Sequence, residues 1–307
     1  MNDKKIIFMG TPEISTHYLN ALLYSGFNIL SVFSQPPKKQ SRGMNIIESP
    51  IHKLSIQKKI NILTPDKFDI KTVSILKELK PDLIVVMAYG NILPKSVLQI
   101  PKYGCINVHV SALPRWRGAA PIEHALFNGD KETGVTIIKL LEKLDAGPII
   151  SQKKFKIPDN FNKLQLSNHL TKLGCELLID TTKNIFNEKI SLMPQDESKV
   201  TYANKIKVED RKINFNNTAS NIINLIRAHS PKPGAWFTYK NERIKILDAK
   251  KLTNLSKPSI INNSNFEIGC LDASIKLLTV QREGKKVITI EEFLRGFKFS
   301  VGDSVNE

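Results

Sequence analysis

Short apolar runs alternate with amphipathic segments through the first half of the chain. Residues 5–9, 27–35 and 82–88 are apolar runs of strand length, whereas residues 14–23 and 69–79 carry apolar side chains at helical spacing. Continuous apolar runs are typical of parallel strands that helices cover on both faces. The pattern therefore predicts an α/β domain built on a Rossmann-like sheet.

The connections between these first elements carry two further signals. The first strand ends in Gly10-Thr11-Pro12, without the spaced glycines that let a pyrophosphate approach the backbone, so we expect no bound dinucleotide. A long basic loop, residues 36–49, separates the second strand from a helix that starts at Ser49-Pro50. A loop of this length inside a compact domain is usually either functional or a surface excursion.

The rest of the chain divides into two groups of elements. The first group is predicted to comprise strands at 61–63, 133–140 and 149–157, a strand that begins at Cys105, and a long helix at 162–186. The second group is predicted to comprise a helix at 218–228 and short strands at 236–239, 243–250, 266–271, 274–281 and 286–290. Several short strands close together are typical of a small barrel, and OB-type barrels often bind nucleic acid. We therefore predict an α/β domain over residues 1–189, a linker over 190–208 and an OB-like β-barrel domain over 209–307.

The segment from Cys105 to Pro121 is the most site-like in the chain, and reads C-I-N-V-H-V-S-A-L-P-R-W-R-G-A-A-P. Side chains two apart in a strand share a face, so Asn107 and His109 should lie side by side. Strand, basic turn and helix start follow in this order. That order places both side chains at the carboxyl end of a strand, where open α/β sheets bind ligands. Asp145, in a turn between two later strands, is the carboxylate that could join them.

An amide, an imidazole and a carboxylate, with no nucleophile among them, suit a reaction in which one substrate attacks another. In acyl transfer between amines the attack creates a tetrahedral oxyanion, to which Asn107 and protonated His109 could donate. Asp145 would then help to move protons from the attacking to the leaving amine. From the pattern alone, a structural role for each residue, such as a turn cap for Asp145, explains it equally well.

Composition and missing motifs narrow the class of protein. The net charge of +16 favours a polyanionic partner, although a chain rich in Lys, Asn and Ile can carry such a charge for compositional reasons. The sequence has no H-E-x-x-H, P-loop or G-x-S-x-G motif, and its three cysteines match neither a disulfide framework nor a zinc site. Cys105 is better explained as a small buried side chain than as a nucleophile. With no apolar run of membrane-spanning length and no signal peptide at the N-terminus, we expect a cytoplasmic protein.

The run that starts at Asn107, N-V-H-V-S-A-L-P-R-W-R-G-A-A-P-I, resembles the central signature of the 10-formyltetrahydrofolate-dependent formyltransferases. Further ordered matches are I-I-F-M-G-T-P at 6–12, V-V-M-A-Y-G at 85–90, T-G-V-T-I at 133–137 and L-D-A-G-P at 144–148. The resemblance implies a Rossmann-like formyltransferase domain with a C-terminal OB-like barrel. It also implies 10-formyltetrahydrofolate as the formyl donor without a metal, the α-amine of an initiator methionyl-tRNA as the acceptor, and a monomer.

The resemblance also implies roles for particular residues. Asn107, His109 and Asp145 would be the catalytic trio. The formyl-folate contacts would be Asn91, Leu93, Ser111, Ala112, Leu113, Pro114 and Leu141. The tRNA contacts would be Lys38, Lys39, Arg42, Arg115 and Arg117. A cis peptide bond is implied between Leu113 and Pro114, and two residues depart from the usual pattern, Val110 in place of a small residue and Ala112 in place of Leu.

Two other classes of function are considered. One is a related formyltransferase acting on a sugar nucleotide or purine precursor, or a formyl-folate hydrolase. The run W-R-G-A-A-P at 116–121 and the C-terminal barrel argue against this class. The other is a non-catalytic RNA-binding relative, against which the intact trio argues.

Overall fold

The structure is a computed structural model that describes residues 3–40 and 45–306. The chain forms two compact units. The first comprises Met1–Gly118, Thr133–Phe155 and His169–Tyr202, and the second comprises Ala119–Glu132, Lys156–Asn168 and Ala203–Glu307. The predicted domain limits at 189 and 209 stay a prediction.

The elements follow the predicted alternation of strand and helix. The strands are β1 (Lys5–Gly10), β2 (Asn28–Phe33), β3 (Lys38–Gln40), β4 (Asn45–Ile47), β5 (Ile62–Leu63), β6 (Leu83–Met87), β7 (Cys105–His109), β8 (Arg117–Gly118), β9 (Glu132–Lys139), β10 (Ile149–Lys156), β11 (Tyr202–Ala203), β12 (Ala235–Tyr239), β13 (Glu242–Lys251), β14 (Ile268–Gly269), β15 (Ser274–Arg282) and β16 (Val287–Thr289). The α-helices are α1 (Glu13–Tyr24), α2 (Pro50–Gln57), α3 (Ile70–Leu79), α4 (Lys95–Leu98), α5 (Pro121–Phe127), α6 (Lys163–Phe186), α7 (Ala219–His229) and α8 (Ile290–Leu294). Short 3₁₀ turns cover Glu197–Lys199 and Glu209–Arg211.

The first unit is organised around a seven-stranded sheet with the order β10-β9-β7-β6-β1-β2-β5. β5, β2, β1, β6 and β7 run parallel, and β9 pairs antiparallel with β7. From β1 the chain builds the sheet outward towards β5, and from β6 it builds in the opposite direction towards β7. Open α/β sheets bind ligands at the carboxyl ends of strands near such a reversal. The predicted Rossmann-like class is confirmed.

Local capping explains where two helices begin. The Ser49 hydroxyl accepts the backbone N–H of His52 at the start of α2, and the Asp69 carboxylate accepts that of Thr72 at the start of α3. Each cap satisfies an N–H that has no partner within the helix. Residues 36–49 were predicted to be a loop without strands, but β3 and β4 pair antiparallel within them. Strands of three residues are too short for their periodicity to be visible in the sequence.

The second unit contains an antiparallel sheet with the order β12-β13-β15-β14, and β16 also pairs with β15. α7 packs against β13. Five aromatic rings pack against the ring of the buried Phe266, namely those of Phe237, Tyr239, Phe293, Phe297 and Phe299. This half-barrel confirms the predicted OB-like class.

Trp236 of the second unit lies on β12 and is almost fully buried. Its indole N–H donates to the carbonyl of Val208 at 3.1 Å, and the Arg243 guanidinium lies 4.1 Å from its ring centre. Among residues 3–40 and 45–306, no helix has both the length and the apolar character needed to cross a membrane.

Candidate active site

The candidate site begins at the carboxyl end of β7, beside the buried strand β6. Asn107 is half-buried and His109 is 5% exposed. Cys105 belongs to an apolar cluster, and burial raises the pKa of its thiol to about 12. Because Cys105 is 1% exposed within that cluster, its interpretation as a small buried side chain is confirmed.

The Asp145 carboxylate is the centre of the site. The Asn107 side-chain amide donates to its Oδ1 at 3.3 Å, and the backbone N–H of Gly118 donates to its Oδ2 at 2.9 Å. His109 Nδ1 lies 3.5 Å from the same Oδ2. Asp145 is only 6% exposed, and a buried carboxylate is costly unless such donors surround it. The structure thus brings the predicted trio together, and their catalytic roles stay predictions.

Both ring nitrogens of His109 face oxygen atoms that can only accept hydrogen bonds. Nε2 is 2.8 Å from the backbone carbonyl of Trp116, and Nδ1 faces the Asp145 carboxylate. A neutral imidazole has one N–H and can donate to only one of these partners, whereas an imidazolium can donate to both. These two contacts fix the orientation of the imidazole ring beside Asp145.

The loop that carries Trp116 and Gly118 is fixed by hydrogen bonds from the neighbouring strands. The Thr136 hydroxyl on β9 accepts the Leu113 N–H at 3.1 Å and donates to the Ser111 carbonyl at 2.7 Å. The Gln152 amide on β10 donates to the Leu113 carbonyl at 2.9 Å. The Leu113–Pro114 bond is cis, as predicted.

The two arginines of the loop have different surroundings. Arg115 is half-buried and lies over the Trp116 ring, 4.2 Å from its centre. Arg117 is fully buried, and its guanidinium donates to Gln195 Oε1 at 2.9 and 3.1 Å and to Glu197 Oε1 at 2.7 Å. The tRNA contact predicted for Arg117 stays a prediction, and in this structure the guanidinium has no exposed surface to offer a phosphate. The basic and aromatic residues next to Arg117 in the sequence suggested a binding loop. Its partners Gln195 and Glu197 are distant in sequence, so no local pattern indicated that it would be buried.

The predicted folate contacts differ widely in exposure. Ser111 is fully buried and its hydroxyl donates to the Arg115 carbonyl, so its side chain offers no surface to a ligand here. The other predicted residues are buried (Leu93, Leu113), half-buried (Asn91, Ala112, Pro114) or exposed (Leu141). These contacts stay predictions.

Of the remaining predicted tRNA contacts, Arg42 and the side chains of Lys38 and Lys39 lie outside the described part of the chain. A cleft of about 860 Å³ opens near the carboxyl ends of β1 and β2, and its lining includes Thr11 and Lys53. Within the described residues, no group of three or more His, Cys, Asp or Glu side chains is placed to hold a metal ion.

One polar residue of the site was missed in the sequence. Gln195, in the stretch predicted to be a linker, donates its amide N–H groups to the carbonyls of Asp145 at 2.7 Å and Gly147 at 2.8 Å. Nearby, Met193 and Ile149 exchange backbone hydrogen bonds at 2.8 and 2.9 Å. The stretch has no hydrophobic period, so only its position in the fold reveals its contact with the site.

Comparisons with known proteins bear on both units. Residues 4–182 match the family described as formyl transferase, and residues 205–298 match the formyl transferase C-terminal domain. The methionyl-tRNA formyltransferase of Pelagibacter ubique is 40% identical over 305 residues, which cover 98% of each chain. That of Thermodesulfovibrio yellowstonii is 42% identical over 300 residues, which cover 97% of each chain.

Solved structures share the fold at lower sequence identity. An N-formyltransferase from Helicobacter canadensis, in complex with folinic acid and dTDP-3-aminofucose, has a TM-score of 0.67 at 22% identity, over 91% of this chain and 99% of its own. HypX from Aquifex aeolicus, in complex with tetrahydrofolic acid, has a TM-score of 0.65 at 17% identity, over 98% of this chain and 50% of its own. Since both family matches and the full-length relatives agree, the chain belongs to the formyl transferase family, within the group of methionyl-tRNA formyltransferases.

Proposed function

We propose that the chain transfers the formyl group of 10-formyltetrahydrofolate to the α-amine of methionine on an initiator tRNA. The observation that carries the proposal is the convergence of Asn107, His109 and the Gly118 N–H on the buried Asp145 carboxylate. An amide and an imidazole held in this way suit attack by an amine on a formyl carbon. The acceptor follows from relatives at about 40% identity, which are named for this reaction.

Asn107 stabilises the oxyanion in this proposal. As the methionine nitrogen bonds to the formyl carbon, the carbonyl oxygen becomes an anion that needs a donor. The Asn107 amide has two N–H bonds, and Asp145 accepts only one of them, which orients the second. One donor of this kind is typically worth about 10²–10³ in kcat.

His109 and Asp145 handle the protons. The attacking nitrogen must lose a proton once its bond to carbon has formed, and N10 of the folate must gain one as its bond to that carbon breaks. For His109 to carry a proton between these nitrogens, its Nε2 would exchange the Trp116 carbonyl for a substrate nitrogen, while Nδ1 stays beside the Asp145 carboxylate. The products are formylmethionyl-tRNA and tetrahydrofolate, and the proton count balances.

The turn that bears Asp145 supports a place for the folate donor. Leu141 and Leu144 are 49% and 59% exposed, so two apolar side chains face solvent beside a polar site. Pockets for flat organic ligands combine apolar walls with a few fixed polar groups. Ala112, Pro114 and the Asn91 region complete the proposed folate contacts.

The tRNA would be held mainly through its phosphates. The net charge of +16 supports such an interaction, and phosphate contacts position a nucleic acid without reading its sequence. We assign these contacts to Lys38, Lys39, Arg42 and Arg115, with the OB-like unit as a second contact surface. The protein would act in the cytoplasm as a monomer.

A single assay tests the proposed function. The purified full chain is incubated with 10-formyltetrahydrofolate and methionyl-tRNA, and formylmethionyl-tRNA is measured by chromatography after hydrolysis. Charged elongator tRNA, free methionine and dTDP-3-aminofucose serve as alternative acceptors. Formylation that requires the initiator tRNA supports the proposal, whereas transfer to the amino sugar alone would refute it.

A further inference from the structure

Residues of the stretch from Met193 to Thr201 form hydrogen bonds to the candidate site, although none of them has an assigned catalytic role. Gln195 spans the turn after β9 by donating to the carbonyls of Asp145 and Gly147. On its other side its Oε1 accepts two N–H groups of the buried Arg117. A single side chain therefore connects the turn that bears Asp145 with the loop that bears Trp116 and Gly118.

We propose that Gln195 is a positioning residue for formyl transfer, acting through Asp145, and that Arg117 holds Gln195 in place. The proposal rests on the proposed function, because it assigns a part in that reaction. The hydrogen bonds of Gln195 to the turn go to the backbone carbonyls of Asp145 and Gly147, so its action passes through the backbone of the turn.

The backbone of the turn needs such a support. Asp145 has φ +47°, a left-handed conformation that a residue with a side chain adopts at an energetic cost. Held in this way, its carboxylate meets Asn107, Gly118 and His109 at once. A misplacement of about 1 Å can cost on the order of 10²-fold in rate. Two hydrogen bonds to the carbonyls at and beyond Asp145 fix the segment at the point where this precision matters.

The burial of Arg117 supports the same conclusion. A fully buried guanidinium is costly, and it persists where hydrogen-bond partners surround it. Arg117 lowers the pKa of the Glu197 carboxyl by hydrogen bonding and charge. Glu197 also lies 3.4 Å from Lys143 of the turn, but both side chains are more than half exposed, so this second link is weak. Gln195 is the strong link between Arg117 and the turn.

The test separates the two sides of Gln195. Gln195→Glu keeps an oxygen for Arg117 but removes both N–H donors to the turn and places a carboxylate against two carbonyls. We expect a loss in kcat on the order of 10²-fold with KM for both substrates unchanged. Asp196→Asn is the matched control, since Asp196 bonds only to Ser198 and Lys199 among the described contacts and should leave kcat unaltered.

A double-mutant cycle then asks whether Gln195 acts through Asp145. In an Asp145→Asn background, Gln195→Glu should cause almost no further loss, because the group it positions is already disabled. Full additivity of the two losses would overturn the proposal. So would a kcat close to that of the parent in Gln195→Glu. If that variant does not fold, Gln195→Met, which lacks donors at similar size, takes its place with the same expected results.

A readout independent of activity completes the test. Amide hydrogen exchange of a peptide covering 140–148 should speed up in the Gln195 variant and not in Asp196→Asn. Unchanged exchange in the Gln195 variant would overturn the proposal, even if the rate fell. If the parent chain does not formylate methionyl-tRNA, the proposed function fails, and the exchange experiment still decides whether Gln195 holds the turn.

Discussion

Replacement of Asp145 by Asn removes the charge of the site while preserving its shape. In the parent, the carboxylate accepts hydrogen bonds from Asn107 and Gly118 at 3.3 and 2.9 Å, and His109 Nδ1 lies 3.5 Å from it. An asparagine presents one oxygen and one N–H₂ group. Whichever way its amide is turned, the N–H of either Asn107 or Gly118 faces another N–H group.

The magnitude follows from these lost contacts. A buried donor without a partner costs about 1–3 kcal/mol, and a positioned proton-transfer group contributes about 10²–10⁴ in rate. Since about 1.36 kcal/mol corresponds to a factor of ten, we expect kcat to fall by about 10²–10³ in Asp145→Asn. Binding of the formyl donor should remain, because the apolar surface near Leu141 is unaltered.

Single-turnover rapid quench with saturating donor and charged initiator tRNA measures this step directly. Equilibrium binding of the folate and a melting curve control for loss of the site or the fold. A rate constant for Asp145→Asn close to that of the parent would refute the reasoning and leave Asp145 as a structural cap of its turn.

Three further predictions concern other parts of the chain. Arg42→Ala should raise KM for tRNA at unchanged folate affinity and reduce the salt slope by about one unit, whereas identical KM values across a salt titration would remove Arg42 from tRNA binding. Gly147→Ala should lower both Tm and kcat, because an added Cβ would clash with the Lys139 carbonyl. Gly296→Ala is its neutral control, since an added Cβ there would meet nothing within 4 Å beyond its own chain neighbours, and equal Tm values for the two variants would contradict the prediction. Burial lowers the pKa of His229 to about 4 from 6.5, so the unfolded chain takes up a proton first as pH falls. Stability should be complete above pH 6.5 and decline towards pH 4 by about 1 kcal/mol per pH unit, and urea unfolding of His229→Gln should lack that slope.

Local patterns were sufficient for most of the fold. The apolar runs predicted as strands are the buried strands β1 and β6. The predicted helix starts are also local, since Ser49 caps α2 and Asp69 caps α3. The spacing of Asn107 and His109 placed both on one strand face, because a two-residue period is a local property.

The surroundings of the site depended on contacts that are distant in sequence. Arg117 and Gln195 are 78 residues apart, and neither carries a local mark of the other. A basic residue in a basic loop is normally exposed, so burial of Arg117 could not be predicted before its partners were placed. The short pairing of β3 with β4 was missed for a different reason, since three residues are too few to establish a period.

The chain has two tryptophans, and each unit contains one of them. Trp116 and Trp236 are both nearly buried, and each ring lies against an arginine, Arg115 in one case and Arg243 in the other. Tryptophan fluorescence therefore has one source in each unit, and a single Trp→Phe exchange leaves one tryptophan whose position is known. Because the Trp116 carbonyl contacts His109, the indole of the first unit belongs to the loop beside the proposed reaction site. The second indole reports on the OB-like unit, so events in each can be followed optically without an added label.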